Sequence, residues 1–223
     1  MAEKRTVFIT GVTGYMGRTL VPALLGRGHD VLGLVRAGSE KKAPSGIRIV
    51  TGDALNAATF AGEIPRGASV VHLVGVAHPS PAKAREFREI DLPSALAAVE
   101  AVKTGGAGHL VYLSVAQPAP AMKAYLAVRA EAETAIRAAG LTATFLRPWY
   151  VLGPGHRWPL ALIPFYWLAE RFPPTREGAR RLGLVTLAQM VNALVEAVEN
   201  PPSGIRIVDV PAIRAAAPWE SVD

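Results

Sequence analysis

The sequence predicts a doubly wound parallel α/β sheet, and three observations predict it. Short β-rich apolar runs recur at Val7–Thr10, Val31–Val35, Ile47–Val50, Val70–Val74, Leu110–Ser114, Ala143–Leu146 and Ile205–Val208. Most are separated by stretches with apolar residues near helical spacing, at Tyr15–Gly26, Ala84–Val102, Met122–Ala139 and Leu187–Glu199, each with a Gly or Pro close to its end. The first run passes directly into the glycine-rich segment TGVTGYMG, where the first helix begins. Strands joined through helices run parallel, and such sheets are covered on both faces.

With 223 residues, 50% of them hydrophobic, the chain suffices for one well-buried core and falls short of two ordinary domains. The expected organisation is a single domain over residues 1–223 in which 153–185 form a small C-terminal lobe on the substrate side. Between Gly153 and Gly183 the alternation of strand and helix gives way to a Pro-, Trp- and Arg-containing stretch. No run approaches the roughly 20 apolar residues of a membrane-spanning helix. The longest, Trp158–Ala169, is interrupted by Pro159 and Pro164 and reads as buried or pocket-lining rather than as an interfacial anchor. The N-terminus, MAEKRTVFIT, has Glu3 and a short strand-like run where a secretory signal would have a long apolar region, so a cytoplasmic address is expected.

The absence of cysteine removes disulfides, thiolate nucleophiles and sulfur ligands, and the five histidines show no paired helical spacing. No metal site is expected. The net charge of +6 is spread along the chain without an aromatic-rich platform for single strands. An anionic small molecule accounts for it at least as well as nucleic acid, which is not an expected partner.

Gly11, Gly14 and Gly17 form a Gly-x-x-Gly-x-x-Gly arrangement at the junction of the first strand and helix. A tight turn that lets a pyrophosphate approach the backbone requires glycine, and the free amides and about half a positive charge at the helix start attract it. Thr13, Tyr15 and Met16 complete this candidate loop. In a dinucleotide fold an acid at the end of the second strand binds the ribose 2′-hydroxyl, but this sequence presents Arg36 there. Arginine favours a 2′-phosphate and therefore NADP(H), with NAD(H) left open; Lys41 and Lys42 are the alternative phosphate partners.

This glycine spacing, followed by a second strand ending in LVR and a third followed by GD, resembles the extended and atypical short-chain dehydrogenases/reductases over nearly the whole chain. The resemblance implies an NAD(P)-binding Rossmann fold related to the NAD-dependent epimerases and dehydratases. It implies that Asp53 accepts a hydrogen bond from the adenine amino group with Ala54 beside the ring. It also implies that Leu73, Val74 and Gly75 pass along the cofactor ribose and that Pro148 through Val151 line the nicotinamide.

The family's chemistry uses a tyrosine as general acid or base, a lysine four residues later and a hydroxyl residue that polarises the substrate oxygen. Tyr125 and Arg129, in AYLAVRAEAE, keep that spacing with arginine for lysine, and both fall on one helical face. An unperturbed tyrosine ionises at roughly pH 10, so a fixed positive charge beside it aids proton exchange near neutrality. A guanidinium supplies the charge and the ribose contact but cannot pass a proton onward. The alternative is a helix-surface pair between Arg129 and Glu133. Ser114, in YLSVAQ, aligns with the first of two hydroxyl residues and Val115 with the second, so Ser114 is the candidate hydroxyl; capping of the strand end is its alternative.

Within the segment Pro148 through Val151, Trp149 and Tyr150 are candidate pocket residues or plain core, and outside it His78 either donates to a substrate at the pocket mouth or is simply exposed. Trp158, Phe165, Tyr166 and Trp167 carry the same alternative of plain core packing. Arg176, Arg180 and Arg181 either recognise a carboxylate or phosphate or form a solvated basic loop. The expected function is that of an NADP(H)-binding oxidoreductase or epimerase-like enzyme acting on a small carbonyl or hydroxyl substrate. The alternative is a non-catalytic NADP(H) sensor or assembly subunit, suggested by Arg129 and Val115. Homo-oligomerisation is left open.

Overall fold

The computed structural model describes residues 3–154 and 171–216. In chain order it contains β1 (Thr6–Thr10), α1 (Tyr15–Gly26), β2 (Asp30–Val35), β3 (Arg48–Thr51), β4 (Ser69–His72), α2 (Ala84–Glu86), α3 (Leu92–Gly105), β5 (His109–Leu113) and α4 (Lys123–Ala138). There follow β6 (Ala143–Leu146), β7 (Tyr150–Leu152), α5 (Pro173–Arg181), β8 (Leu184–Thr186), α6 (Leu187–Glu199), β9 (Ile205–Val208) and α7 (Val210–Ala215).

Seven strands form one parallel sheet in the order β3-β2-β1-β4-β5-β6-β9, which is the expected doubly wound architecture. The chain winds outward from β1 to β3, then returns to the other side of β1 and continues from β4 to β9. The order therefore reverses beside β1, and in open sheets of this kind ligands bind in the crevice at the carboxyl ends of the strands at that reversal. β7 and β8 make a separate two-stranded parallel pair at the two ends of the stretch where the alternation lapses. Trp158, Phe165, Tyr166 and Trp167 lie outside the described residues.

The period-two alternation of the strands builds two cores. Val7 and Ile9 pack with Leu20 and Leu24 of α1 and Leu194 and Val198 of α6, whereas Phe8 between them packs on the other face with Ala95 and Val102 of α3 and Ile136 of α4. Each of these side chains larger than alanine, taken from water, stabilises the fold by roughly 1.5–3 kcal/mol. The helix expected at Ala84–Val102 is observed with a difference: a π-turn, Phe87–Asp91, separates α2 from α3. The turn widens the helical path and brings both Phe87 and Asp91 inside. β4 ends at His72 rather than Val74, because after the bond from the Leu73 amide to the Thr10 carbonyl the chain leaves the sheet.

Two histidines are buried in the sheet. His72 lies between Thr10 (Oγ1 to Nδ1, 2.8 Å) and Ser94 (Oγ to Nε2, 3.4 Å), and His109 bonds Thr144 (3.0 Å). Burial, aided by the charge of Arg129, lowers His72 to about 3; burial, aided by Arg206 and Arg5, lowers His109 to about 4. Both rings are neutral in the fold and take protons near pH 6.5 once unfolded. Their contribution is therefore present above pH 6.5 and is lost as pH falls toward those folded values. Urea unfolding at pH 5 should show a stability lower than at pH 7.5 by roughly 2 kcal/mol per histidine. Equal stability at the two pH values would contradict the assignment of neutral, buried rings.

Candidate dinucleotide and active site

β1 ends at Thr10 and the chain turns at Gly11, whose φ is +76°. A Cβ there would stand 3.0 Å from the Leu73 carbonyl carbon, so the loop after β4 passes directly against the turn. Gly17, in the first turn of α1, rests on the same loop: a Cβ would lie 2.6 Å from the Gly11 oxygen. Gly14 is the N-cap and brings no side chain to the helix start, whose first intrahelical bond runs from the Arg18 amide to the Gly14 carbonyl (3.0 Å). The amides of Tyr15, Met16 and Gly17 consequently have no intrahelical acceptor. This cradle of donors, shaped by missing side chains, fits a dinucleotide pyrophosphate. Thr13 is half-buried in it, and the Tyr15 hydroxyl leans across to Gly153 at the end of β7, leaving no room there for a Cβ.

Arg36 follows β2 and is exposed. Asp53 heads the turn after β3, where its Oδ1 accepts from the Leu55 amide (3.0 Å) and its amide donates to Thr59 Oγ1 (2.9 Å); Ala54 packs against the core beside it. Both stand beyond the carboxyl ends of β2 and β3, on one side of the reversal.

On the other side of β1 the structure brings Gly75, Tyr125 and Arg129 together, and adds Asp91. Arg129 is buried and its Nη2 donates to Asp91 Oδ1 (2.5 Å), while Nη1 donates to the Leu113 carbonyl (2.9 Å) and the Tyr112 hydroxyl (3.3 Å). Its guanidinium carbon is 5.0 Å from the Tyr125 ring centroid, and the ring in turn packs on Phe87 at 5.0 Å. Gly75 is glycine for a reason besides the ribose: a Cβ would stand 2.5 Å from Arg129 Nη2. Asp91 Oδ2 accepts from the Val76 amide (3.0 Å), so the acid ties the loop after β4 to α4. Burial disfavours the charged guanidinium, but the facing Tyr125, Tyr112 and Asp91 hold it charged, above even the usual arginine range. Burial also pushes the Asp91 carboxyl up, against the pull of Arg129.

The surface pair between Arg129 and Glu133 is not what forms. Glu133 is buried and belongs to a second cluster: its Oε1 accepts from Ser114 Oγ (2.6 Å), Arg147 Nε (2.9 Å) and Gln117 Nε2 (3.1 Å), and its Oε2 from Arg147 Nη2 (2.5 Å) and Arg137 Nη1 (3.2 Å). The Ser114 hydroxyl is thereby turned to Glu133 rather than set beside Tyr125, and it does not cap the strand. Pro148 is buried beyond β6, its carbonyl accepting from the Ala116 amide (2.8 Å). Trp149 and Tyr150 are half-buried and pack edge to face at 5.5 Å. His78 is exposed in a turn with φ +50°.

Arg180 and Arg181 of α5 border a cleft of about 420 Å³ together with Gln117, Arg147, Glu177 and Asp209, and Arg176 on the same helix is exposed. Among the described residues no group of three His, Cys, Asp or Glu could hold a metal ion, and no helix is long and apolar enough to cross a membrane. Asp91 escapes a reading of motifs, but it carries a signal. It is the single acid on the stripe Phe87, Asp91, Ala95, Ala98, whose other members are apolar and buried.

Fold and loop define a dinucleotide-binding protein with a doubly wound parallel sheet. A family model described as NAD(P)H-binding matches residues 11–156, and the chain belongs to that family. It is 31% identical over 207 residues to ceramide reductase of Caulobacter vibrioides, covering 89% of this chain and 62% of that protein. It is 30% identical to 3-diazoavenalumate denitrifying reductase of a Streptomyces species, covering 96% and 78%. The chain thus spans under two thirds of the length of the first relative. Among solved structures, the Bordetella bronchiseptica enzyme WbmH in complex with NAD+ superposes with a TM-score of 0.67 at 22% identity, over 91% of this chain and 75% of that one. UDP-N-acetylglucosamine 4-epimerase of Bacillus cereus does so with 0.67 at 16%, over 92% and 76%.

Proposed function

We propose that the chain is an NADP(H)-preferring oxidoreductase or epimerase-like enzyme acting on a small carbonyl or hydroxyl substrate. The observation that carries this reading is the buried Arg129, held by Asp91 against Gly75 and over the Tyr125 ring, across the sheet reversal from the glycine cradle. When bound, the nicotinamide exchanges a hydride with substrate carbon. Gly11, Gly14 and Gly17 admit the pyrophosphate, Arg36 meets the 2′-phosphate, Asp53 and Ala54 take the adenine, and Leu73 through Gly75 with Pro148 flank the ribose and nicotinamide. Tyr125 gives or takes a proton at its phenolic oxygen, and Arg129 maintains a positive charge beside it without relaying protons. Ser114 joins this chemistry only by releasing Glu133. Of the lobe expected over 153–185, residues 155–170 lie outside the described residues; a cytoplasmic address goes with the reading. That both relatives are named reductases supports the oxidoreductase half of it.

Tyr125→Phe should reduce turnover at least about 100-fold while NADPH binding, followed by calorimetry, stays intact. Undiminished turnover would remove Tyr125 from the mechanism. Arg36→Asp should weaken NADPH about tenfold or more, as loss of a charge-assisted contact to phosphate requires, and leave NADH unaffected or tighter. Equal effects on the two would remove Arg36 from the phosphate site. A second reading, the non-catalytic NADP(H) sensor, is favoured by the engagement of both terminal nitrogens of Arg129 with protein groups. NADPH binding without turnover on any carbonyl in a broad panel supports it.

A further inference from the structure

The turn after β2 already binds an anion, and the anion is the chain's own. Gly38, at φ +79°, donates its amide to Glu40 Oε1 (3.0 Å), while the Ser39 amide closes onto the Arg36 carbonyl (2.9 Å). Within six residues of this carboxylate stand Arg36, Lys41 and Lys42, all exposed, and Glu40 forms an ion pair with none of them. The side chains of these three cations have no hydrogen-bond or ion-pair partner among the described residues. Glu40 is the one acid in the run from Arg36 to Lys42.

We propose that Glu40 is a specificity-determining residue of the dinucleotide site. Its carboxylate sits on the backbone amide, inside the basic turn, that a 2′-phosphate would take, and so holds the preference for NADP(H) over NAD(H) below what Arg36, Lys41 and Lys42 alone would give. This rests on the NADP(H) reading above. A phosphate monoester carries about −1.5 to −2 charges at neutral pH and needs several donors. Glu40 repels it and occupies one of those donors. The 2′-hydroxyl of NAD(H) is uncharged and can donate to a carboxylate, which is the role an acid plays at this edge of dinucleotide folds. Arginine and glutamate in one turn therefore make a site that accepts both cofactors, with the balance set by the pair.

The charge of Glu40 and its hydrogen bond are separable. Glu40→Gln keeps an oxygen that accepts from the Gly38 amide and removes the charge, whereas Glu40→Ala removes both. Wild type and both variants are titrated calorimetrically with NADPH, NADH and adenosine 2′-monophosphate at low and high salt. Glu40→Gln is expected to tighten NADPH and adenosine 2′-monophosphate by roughly threefold to tenfold at low salt, with a smaller gain at high salt, and to weaken NADH. If Glu40→Gln leaves both dinucleotides unchanged, or shifts them together, Glu40 only caps the turn and the proposal is overturned. Wild-type protein that binds neither dinucleotide overturns the NADP(H) reading as well, an outcome distinct from intact NADPH binding that Glu40→Gln does not alter.

Discussion

Asp91→Ala is expected to lower the free energy of unfolding by about 3–5 kcal/mol, because it leaves a buried guanidinium without its counter-charge. Arg129 is nearly shut off from solvent: its side chain is 6% exposed, the Asp91 side chain 0%, and Gly75 lies directly against the pair. The remaining contacts, the Leu113 carbonyl and the Tyr112 hydroxyl, are neutral acceptors that do not balance a charge that cannot be given up. Removing both charges tests the account more sharply than removing one. Asp91→Leu with Arg129→Met should cost much less than either single variant, since ion pairs this deeply buried often contribute little net stability over an apolar pair of similar volume. Urea unfolding of the two single variants and the double variant measures this directly. Additive losses would mean that the residues do not act as a pair.

Glu133→Ala should be the second most damaging change, at about 2–4 kcal/mol, because it strands the Ser114 hydroxyl and two arginines at once. Its cost is below that of Asp91→Ala because the Arg137 and Arg147 side chains, 40% and 18% exposed, can turn partly to water. Burial alone would raise the Glu133 carboxyl, but hydrogen bonds from Arg147 and Ser114 and the charges of Arg147 and Arg137 outweigh it and hold it below the ordinary carboxylate range. A depressed folded value means that this stability is fully present above the unfolded carboxylate range and is lost as pH falls through the folded value. Wild type should therefore lose stability below about pH 4 that Glu133→Gln has already lost. Parallel pH curves for the two proteins would show that the carboxylate contributes no charge-dependent stability.

The parts of this architecture that depend on local pattern were legible in the sequence. Short β-rich apolar runs located all seven strands of the main sheet within a residue or two, and the glycines at 11, 14 and 17 marked the strand-to-helix turn because backbone close approach demands residues without a Cβ. The contacts that depend on tertiary partners were not. Glu133, four residues from Arg129, suggested a surface pair, yet Arg129 finds Asp91 across 38 positions and Glu133 finds Arg147 across 14. Helical spacing specifies which side chains share a face, not which opposing element supplies the counter-charge. Ser114 illustrates the same limit. Its place at the end of β5 was evident, but the direction of its hydroxyl was set by α4, which supplies Glu133. The π-turn that carries Asp91 inward had no motif of its own, since one inserted residue in a helix leaves the apolar spacing nearly intact.

The most direct test of a dinucleotide site built on this cradle and this arginine turn is a calorimetric titration of the purified wild-type chain with NADPH and, separately, with NADH. The account predicts saturable binding of NADPH at one site per chain, tighter than that of NADH. Absence of binding by both would contradict it.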